Sequence, residues 1–412
     1  MQILIARFLC EFKMERKLKS IKKIRAAVIG GSGYTGLEIL KILSNHRYVD
    51  IVFTTSNTYR GMVVGEAFPS FNEIYIKKPL EKSIRKSVKF DKGVKRENQS
   101  ELVYTLIDEV SENTVKNLDV IFLCLLPLES MEFVNRYLGG FNGVIIDIGS
   151  DFRLKNTQSF RNWYGKEHIL KELLEDFVYG LPEIYAEKIK VSRLIANPGC
   201  YPTSIILALA PILKDREIKI NDINIDSKSG VSGAGRKLKD DYLFCNVNEN
   251  FFAYSALMHR HIGEIEQEIE NISGEKINVC FTPHILPVNR GIFTSIYCRL
   301  DISPNNSGLG AETENIDKAT KIKEKVFNDF NSFYGDSCFV KFIGEKIPQL
   351  KDVIATNMCF IGFVFDERTS VLKLFSVIDN LLKGAAGKAV QNMNLIFNFD
   401  ETEGLDSYGL FS

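Results

Sequence analysis

The chain has 412 residues, 45% hydrophobic and 25% charged, enough apolar content to bury a substantial core and, at this length, to form two domains. Its 52 basic residues balance 52 acidic ones, so no global field points to nucleic acid or to an anionic membrane. The apolar runs break before about 18 residues, which argues against a membrane span, and eight cysteines without C-x-x-C spacing argue against a disulfide framework or a metal site and fit a reducing cytoplasm.

Residues 1–23 read as an extension outside the fold, because their short apolar stretch lacks a preceding basic region and Glu11 and Glu15 sit badly in a transit peptide. Ile24 to Ile29 then reads as a buried strand, followed by the turn Gly30-Gly31-Ser32-Gly33-Tyr34-Thr35-Gly36 and the helical pattern Leu37 to Leu43. Strand, glycine turn and helix stand in the order a dinucleotide needs: glycines let the backbone approach closely, and the helix N-terminus receives the pyrophosphate. Gly30, Ser32, Gly33, Tyr34, Thr35 and Gly36 are therefore expected at a cofactor. The next strand, Asp50 to Ser56, ends in Thr54, Thr55 and Ser56 with Arg60 close behind, where an NAD site offers an acid to the ribose. Hydroxyls and a cation suit a 2′-phosphate, so the expected cofactor is NADP(H), with Ser56 and Arg60 among its contacts.

Lys77 to Glu97 holds nine basic and three acidic residues and no interleaved aromatic beyond Phe90, which fits a solvated insertion better than a nucleic-acid patch. Leu118 to Cys124 and Gly143 to Ile148 are further short apolar strands between helical segments, predicting a parallel sheet covered on both faces over residues 24–175. Residues 176–355 carry longer strands, near 218–227, 277–282 and 293–300, the pattern of an α+β domain. Near its start, Asn197-Pro198-Gly199-Cys200-Tyr201-Pro202-Thr203 leads into the apolar run Ser204 to Pro211. Unpaired N–H groups and a helix dipole there favour a thiolate, making Cys200 the candidate nucleophile. Ser229 to Lys237 is a glycine and serine loop able to wrap an anion. In His259-Arg260-His261 the imidazoles suit acid/base work; His261 is preferred because it immediately precedes a helical run, and no carboxylate or cysteine set completes a metal site. Arg153 and Arg260 are additional cations, and Asn305 to Thr320 reads as a second loop insertion.

From residue 24 to the end, these motifs, together with Gly180-Leu181-Pro182-Glu183, Phe281-Thr282-Pro283-His284 and Val377 to Gly387, resemble the N-acetyl-gamma-glutamyl-phosphate reductase family of the aspartate-semialdehyde dehydrogenase group. The resemblance implies an α/β fold: an N-terminal Rossmann NADP-binding domain completed by residues 356–412, whose final helix near 384–398 returns to it, plus a central α+β catalytic and oligomerisation domain. It implies Cys200 as nucleophile, His259 and His261 as the acid/base region, Ser232, Gly233 and Asn380 beside the cofactor, and Arg153, Arg236 and Arg260 facing an acyl-phosphate substrate. A homodimer or homotetramer is expected. The implied reaction is NADPH-dependent reduction of N-acetyl-L-glutamyl 5-phosphate through a cysteine thioester. The rivals are a sister reductase of aspartyl phosphate or of a carrier-linked acyl phosphate and, more remotely, a catalytically silent NADP-binding regulator, which would lack the thiol or the histidines. One departure lies near the nicotinamide side, where Leu126-Pro127-Leu128-Glu129 replaces the family's Leu-Pro-His-Gly.

Overall fold

The computed structural model describes residues 23–71, 102–215, 217–301 and 311–405, with backbone alone for 311–317. The extension before residue 23 and the charged insertion 77–97 lie outside the described residues. Strands β1 (Ile24–Ile29), β2 (Val49–Thr55), β3 (Tyr104–Thr105), β4 (Val120–Leu123), β5 (Val144–Asp147), β6 (Val178–Tyr179) and β7 (Leu194–Ala196) form an all-parallel sheet in the order 3-2-1-4-5-7-6. In β1, Ala26 and Val28 join the core on one face and Ala27 and Ile29 the core on the other, so the strand has no solvent side to alternate toward and reads as an unbroken apolar run. Helix α1 (Tyr34–Asn45) brings Ile39, Leu40 and Leu43 to the first face, and α2 (Glu129–Tyr137) brings Met131, Phe133 and Val134 to the second.

After α3 (Pro182–Lys190) and β7, helix α4 (Cys200–Lys214) opens the second domain. Tyr201 to Leu213 are all buried, which accounts for an apolar run with no polar face. Strands β8 (Ile220–Gly230), β9 (Phe252–Ala253), β10 (Cys280–Leu286), β11 (Ile292–Leu300), β12 (Val340–Phe342), β13 (Cys359–Asp366) and β14 (Val371–Ile378) make a mixed sheet in the order 12-13-14-11-8-10-9. One face packs on α4, α5 (His261–Ser273) and α6 (Ala311–Tyr334) through Ile205, Ile265, Phe330 and Ile296. On the other face, Asn224, Tyr297 and Arg299 are exposed.

A one-turn π-helix, Leu382–Ala386, leads into α7 (Gly387–Ile396), whose Ala389, Val390 and Met393 enter the same core as Val28, Leu40 and Phe122. Both chain ends thus build the first domain. Its limits differ from the expected 24–175 and 356–412: β6 and β7 extend it to Ala196, whereas β13 and β14 belong to the second sheet. Strands of two or three residues carry too little pattern to read, and β14 lies between β13 and β11 because its antiparallel ladder, Val371 to Ile378, continues theirs. The loop expected over 305–320 is helix from Ala311, where no glycine or proline occurs between Gly310 and Gly335 and Ala319, Val326 and Phe330 recur on one buried face.

Candidate active site

The strands of the first sheet all end at one edge, and the turns leaving them form a cleft of about 880 Å³ whose far wall comes from the second domain. Gly30 has φ +82°, and a Cβ there would stand 2.3 Å from the Cys124 carbonyl oxygen; one on Gly36 would stand 2.5 Å from Gly30 O. Only glycine permits this packing. No side chain caps α1 at Gly33, so its first-turn N–H groups remain for a ligand, as a pyrophosphate requires. Gly30, Ser32, Gly33, Tyr34, Thr35, Gly36 and Ser56 all line the cleft.

The hydroxyls at the end of β2 divide. Thr54 Oγ1 donates to Val28 O at 2.9 Å and Thr55 Oγ1 accepts from Gly30 N at 2.9 Å, so both serve the turn itself. Ser56 Oγ lies 2.7 Å from Ser32 Oγ in the cleft. Arg60 pairs with Glu109 and is not among the cleft-lining residues. Arg236, expected at the substrate, lines the cleft from beside the glycine turn. Its loop crosses to the first domain, Nη1 donates to Ser32 O at 2.6 Å and Nη2 to the Tyr59 hydroxyl at 3.2 Å, and the rings of Tyr34, Tyr59 and Phe68 stand 5.2–5.8 Å away. A guanidinium among three aromatic faces and a carbonyl is held there by cation–π and hydrogen-bonding forces, against the glycine turn.

Asn380 ties together the second domain's side of the cleft. Its Nδ2 donates to Ser232 Oγ at 2.9 Å, its Oδ1 accepts from Gly291 N at 2.7 Å, and Ser232, Gly233 and Asn380 line the cleft with Cys200.

Cys200 is the first residue of α4, and Gly199 precedes it in an extended conformation. A Cβ on Gly199 would stand 2.6 Å from His261 Nε2 and 2.8 Å from Arg153 Nη1, so imidazole and guanidinium both close over the nucleophile's turn. Pro202 suits the first turn of a helix, where its missing N–H costs no bond, and the Tyr201 N–H is turned to the Cys200 sulfur. The thiol departs from the expectation of a lowered pKa: burial pushes it up, and the Tyr201 N–H, Arg153 and Lys388 pull it only partly back. Burial also holds His261 well below the ordinary imidazole range, with His259 and Arg153 adding to the effect, so it is neutral at pH 7. His261 Nδ1 is buried without a partner.

His259 differs. Its Nδ1 accepts from the His261 N–H at 3.2 Å, its Nε2 lies 3.4 Å from the Tyr254 hydroxyl, and burial lowers its pKa to about 4. It is not among the cleft-lining residues, nor is Arg260, whose guanidinium stands 5.4 Å over the Tyr164 ring.

Sequence reasoning missed Glu264. This carboxylate is buried, and its Oε1 accepts from Gly199 N and the Tyr179 hydroxyl, both at 2.8 Å, while Oε2 pairs with Arg153 Nη1 at 3.2 Å. Glu264 therefore ties α5, the nucleophile's turn and the Arg153 loop together. Its position three residues after His261, on the same helix face, was the available signal.

Residues 25–192 match the semialdehyde dehydrogenase NAD-binding domain, and residues 200–380 match the semialdehyde dehydrogenase dimerisation domain. An N-acetyl-gamma-glutamyl-phosphate reductase of Pelotomaculum thermopropionicum is 39% identical over 94% of this chain and 99% of its own length. Its counterpart in Alkaliphilus metalliredigens is 40% identical over 93% and 98%. Among solved structures, aspartate semialdehyde dehydrogenase II of Vibrio cholerae matches with a TM-score of 0.60 at 18% identity, covering 92% of this chain and 99% of that one. The Candida albicans enzyme, solved with NADP, matches at 0.55 and 14% over 91% and 99%; at such identity these two show the fold alone. Near-full-length identity of this order, on a parallel dinucleotide sheet carrying a cysteine at the head of α4, places the chain in the N-acetyl-gamma-glutamyl-phosphate reductase family of the semialdehyde dehydrogenases.

Proposed function

We propose that this enzyme reduces N-acetyl-L-glutamyl 5-phosphate to N-acetyl-L-glutamate 5-semialdehyde, releasing phosphate and consuming NADPH. The observation that carries the reading is the convergence of Cys200, His261 and Arg153 in the same cleft as the glycine turn. Cys200 sulfur attacks the acyl carbon and phosphate leaves, forming a thioester on the protein. Arg153, kept cationic because Glu264 together with Tyr164, Tyr179 and Asp147 outweighs the burial that pulls the other way, faces the anionic substrate. A bound NADPH supplies the two electrons and the hydrogen that the thioester carbon takes up. The Cys200 and Tyr201 N–H groups face the oxygen on which negative charge develops. His261, neutral at rest, takes the proton of the attacking thiol, gives it to that oxygen, withdraws it as the aldehyde leaves and returns it to the freed sulfur, while His259 holds the start of α5 through its bond to the His261 N–H.

Ser32, Ser56 and Arg236 offer hydroxyls and a cation to the adenosine 2′-phosphate, in place of the acid of an NAD site. The open face of the second sheet, bearing Tyr297 and Arg299, meets a second copy in a homodimer or homotetramer, and free thiols such as Cys298 and Cys359 suit a reducing cytoplasm. The test is phosphate-dependent reduction of NADP⁺ by purified protein with N-acetylglutamate semialdehyde against aspartate semialdehyde. A clear preference for the aspartyl substrate would favour the sister reaction. Cys200→Ser should lower turnover by more than about a thousandfold while leaving NADP⁺ binding intact; turnover within about tenfold of wild type, only about 1.4 kcal/mol of barrier, would remove the thioester route.

A further inference from the structure

Helix α7 belongs to the core of the first domain, yet it sends one charged side chain against the turn that carries the nucleophile. Lys388 has no solvent exposure. Its Nζ donates to the Pro198 carbonyl at 3.1 Å and to Thr203 Oγ1, while Thr203 Oγ1 and N both donate to Gly199 O, at 2.7 and 3.0 Å. The ammonium thus grips the chain on both sides of Cys200. The same C-terminal segment comes closer still at Gly384, where a Cβ would stand 2.9 Å from Cys200 Cβ. A buried ammonium is costly unless a charge compensates it, and the two acceptors shown for Lys388 are a carbonyl and a hydroxyl.

The charged and titratable groups facing Cys200 come from four elements: Arg153 after β5, Glu264 and His261 on α5, Lys388 on α7, and Tyr201 on its own helix, against which Tyr254 packs. Glu264 is committed to Arg153, Gly199 and Tyr179, and His261 is neutral. That leaves Lys388 as the cation without a carboxylate of its own. Burial, then Arg153 and Lys383, push its pKa well down, whereas Glu264 and Cys200 pull it up; reciprocally, Lys388 is among the groups that draw the thiol toward thiolate.

We propose that Lys388 is a positioning residue for Cys200, pinning the turn from Pro198 to Thr203 and serving as the counter-charge of the thiolate. The inference rests on the reading of Cys200 as nucleophile. Its test is the pH dependence of iodoacetamide alkylation, followed at the Cys200 peptide by mass spectrometry, with exposed Cys245, Cys280 and Cys338 as internal references. Lys388→Met removes charge and donors; Lys388→Gln removes the charge and keeps a donor. Both should raise the Cys200 midpoint by about one pH unit or more, roughly a tenfold loss of thiolate at fixed pH below it, and Lys388→Arg should stay near wild type. A midpoint unmoved in the Met and Gln variants, or restored by Gln, would overturn the counter-charge. Should those variants fail to fold, Cys200→Ser gives the reciprocal reading: the NMR titration of the Lys388 ε-methylene should move to lower pH, and an unmoved titration overturns the proposal. The alkylation midpoint is read without turnover, so failure of the nucleophile reading, seen as turnover surviving Cys200→Ser, is a separate outcome.

Discussion

The two histidines stand two residues apart with ring centroids 4.8 Å from each other, yet their surroundings divide the work. His261 lies over the Gly199 turn, whereas both nitrogens of His259 face local partners, the His261 N–H and the Tyr254 hydroxyl. His261→Asn should lower kcat by about 10²–10⁴ with little change in KM. His259→Asn should cost less and act through the placement of α5; the opposite ranking would reverse the roles. His259 also makes a stability prediction. Its folded pKa of about 4 lies below the unfolded 6.5, so the unfolded state binds the proton more readily. The histidine's contribution is therefore whole above pH 6.5 and lost as pH falls toward 4, amounting to at most about 3 kcal/mol. Asp147, raised to about 7 by burial and by Asp151, works in the opposite direction, gaining stability as pH falls through 7. The comparison must therefore be wild type against His259→Asn: denaturant unfolding at pH 7 and pH 4.5 should show a smaller acid loss in the variant, and equal losses would contradict the assignment.

At the scale of elements, the β1–turn–α1 unit is the part whose geometry leaves least freedom. A Cβ on Gly36 meets backbone on two sides, 2.5 Å from Gly30 O and 2.7 Å from Gly31 Cα. Gly36→Ala should cost about 1–3 kcal/mol and weaken NADP⁺ binding by more than about tenfold, a loss of roughly 1.4 kcal/mol. Gly139→Ala, where nothing lies within 4 Å, should leave stability within about 0.5 kcal/mol. Calorimetric binding and thermal unfolding decide both. This unit was legible because its information is local: an apolar run, crowded glycines and a helix in sequence. Cys200 was legible for the same reason, as a turn ahead of a wholly apolar helix. Local pattern could not show that Glu264 and Lys388 reach the same turn from α5 and α7, or that burial outweighs the helix start at the thiol. Nor could it say which sheet Arg236 faces, since a cation after a glycine loop looks the same either way.

Across the molecule, side chains of the second domain hold the cofactor turn of the first. Arg290 pairs with Glu38 on α1 and stands 3.7 Å from Asp379, while Arg236 reaches Ser32. If Arg236 reads the 2′-phosphate, Arg236→Met should raise the Kd for NADP⁺ by about tenfold or more, some 1.4 kcal/mol, and change that for NAD⁺ little. Arg60→Met should spare the preference, because Arg60 is turned to Glu109. Equal weakening of both dinucleotides by Arg236→Met would leave the residue as a strut between domains.

The return of α7 to the first sheet also sets an order of events on the ribosome. Residues 200–380 are contiguous and contain every strand of the second sheet, so this half can close its core as soon as it has emerged. The first sheet, though synthesised earlier, waits with Val28, Leu40 and Phe122 short of the cover that Ala389, Val390 and Met393 provide. A nascent chain arrested after residue 380 should therefore present an apolar surface that chaperones and proteases find on the amino-terminal half, and release of the last turn of chain should close it.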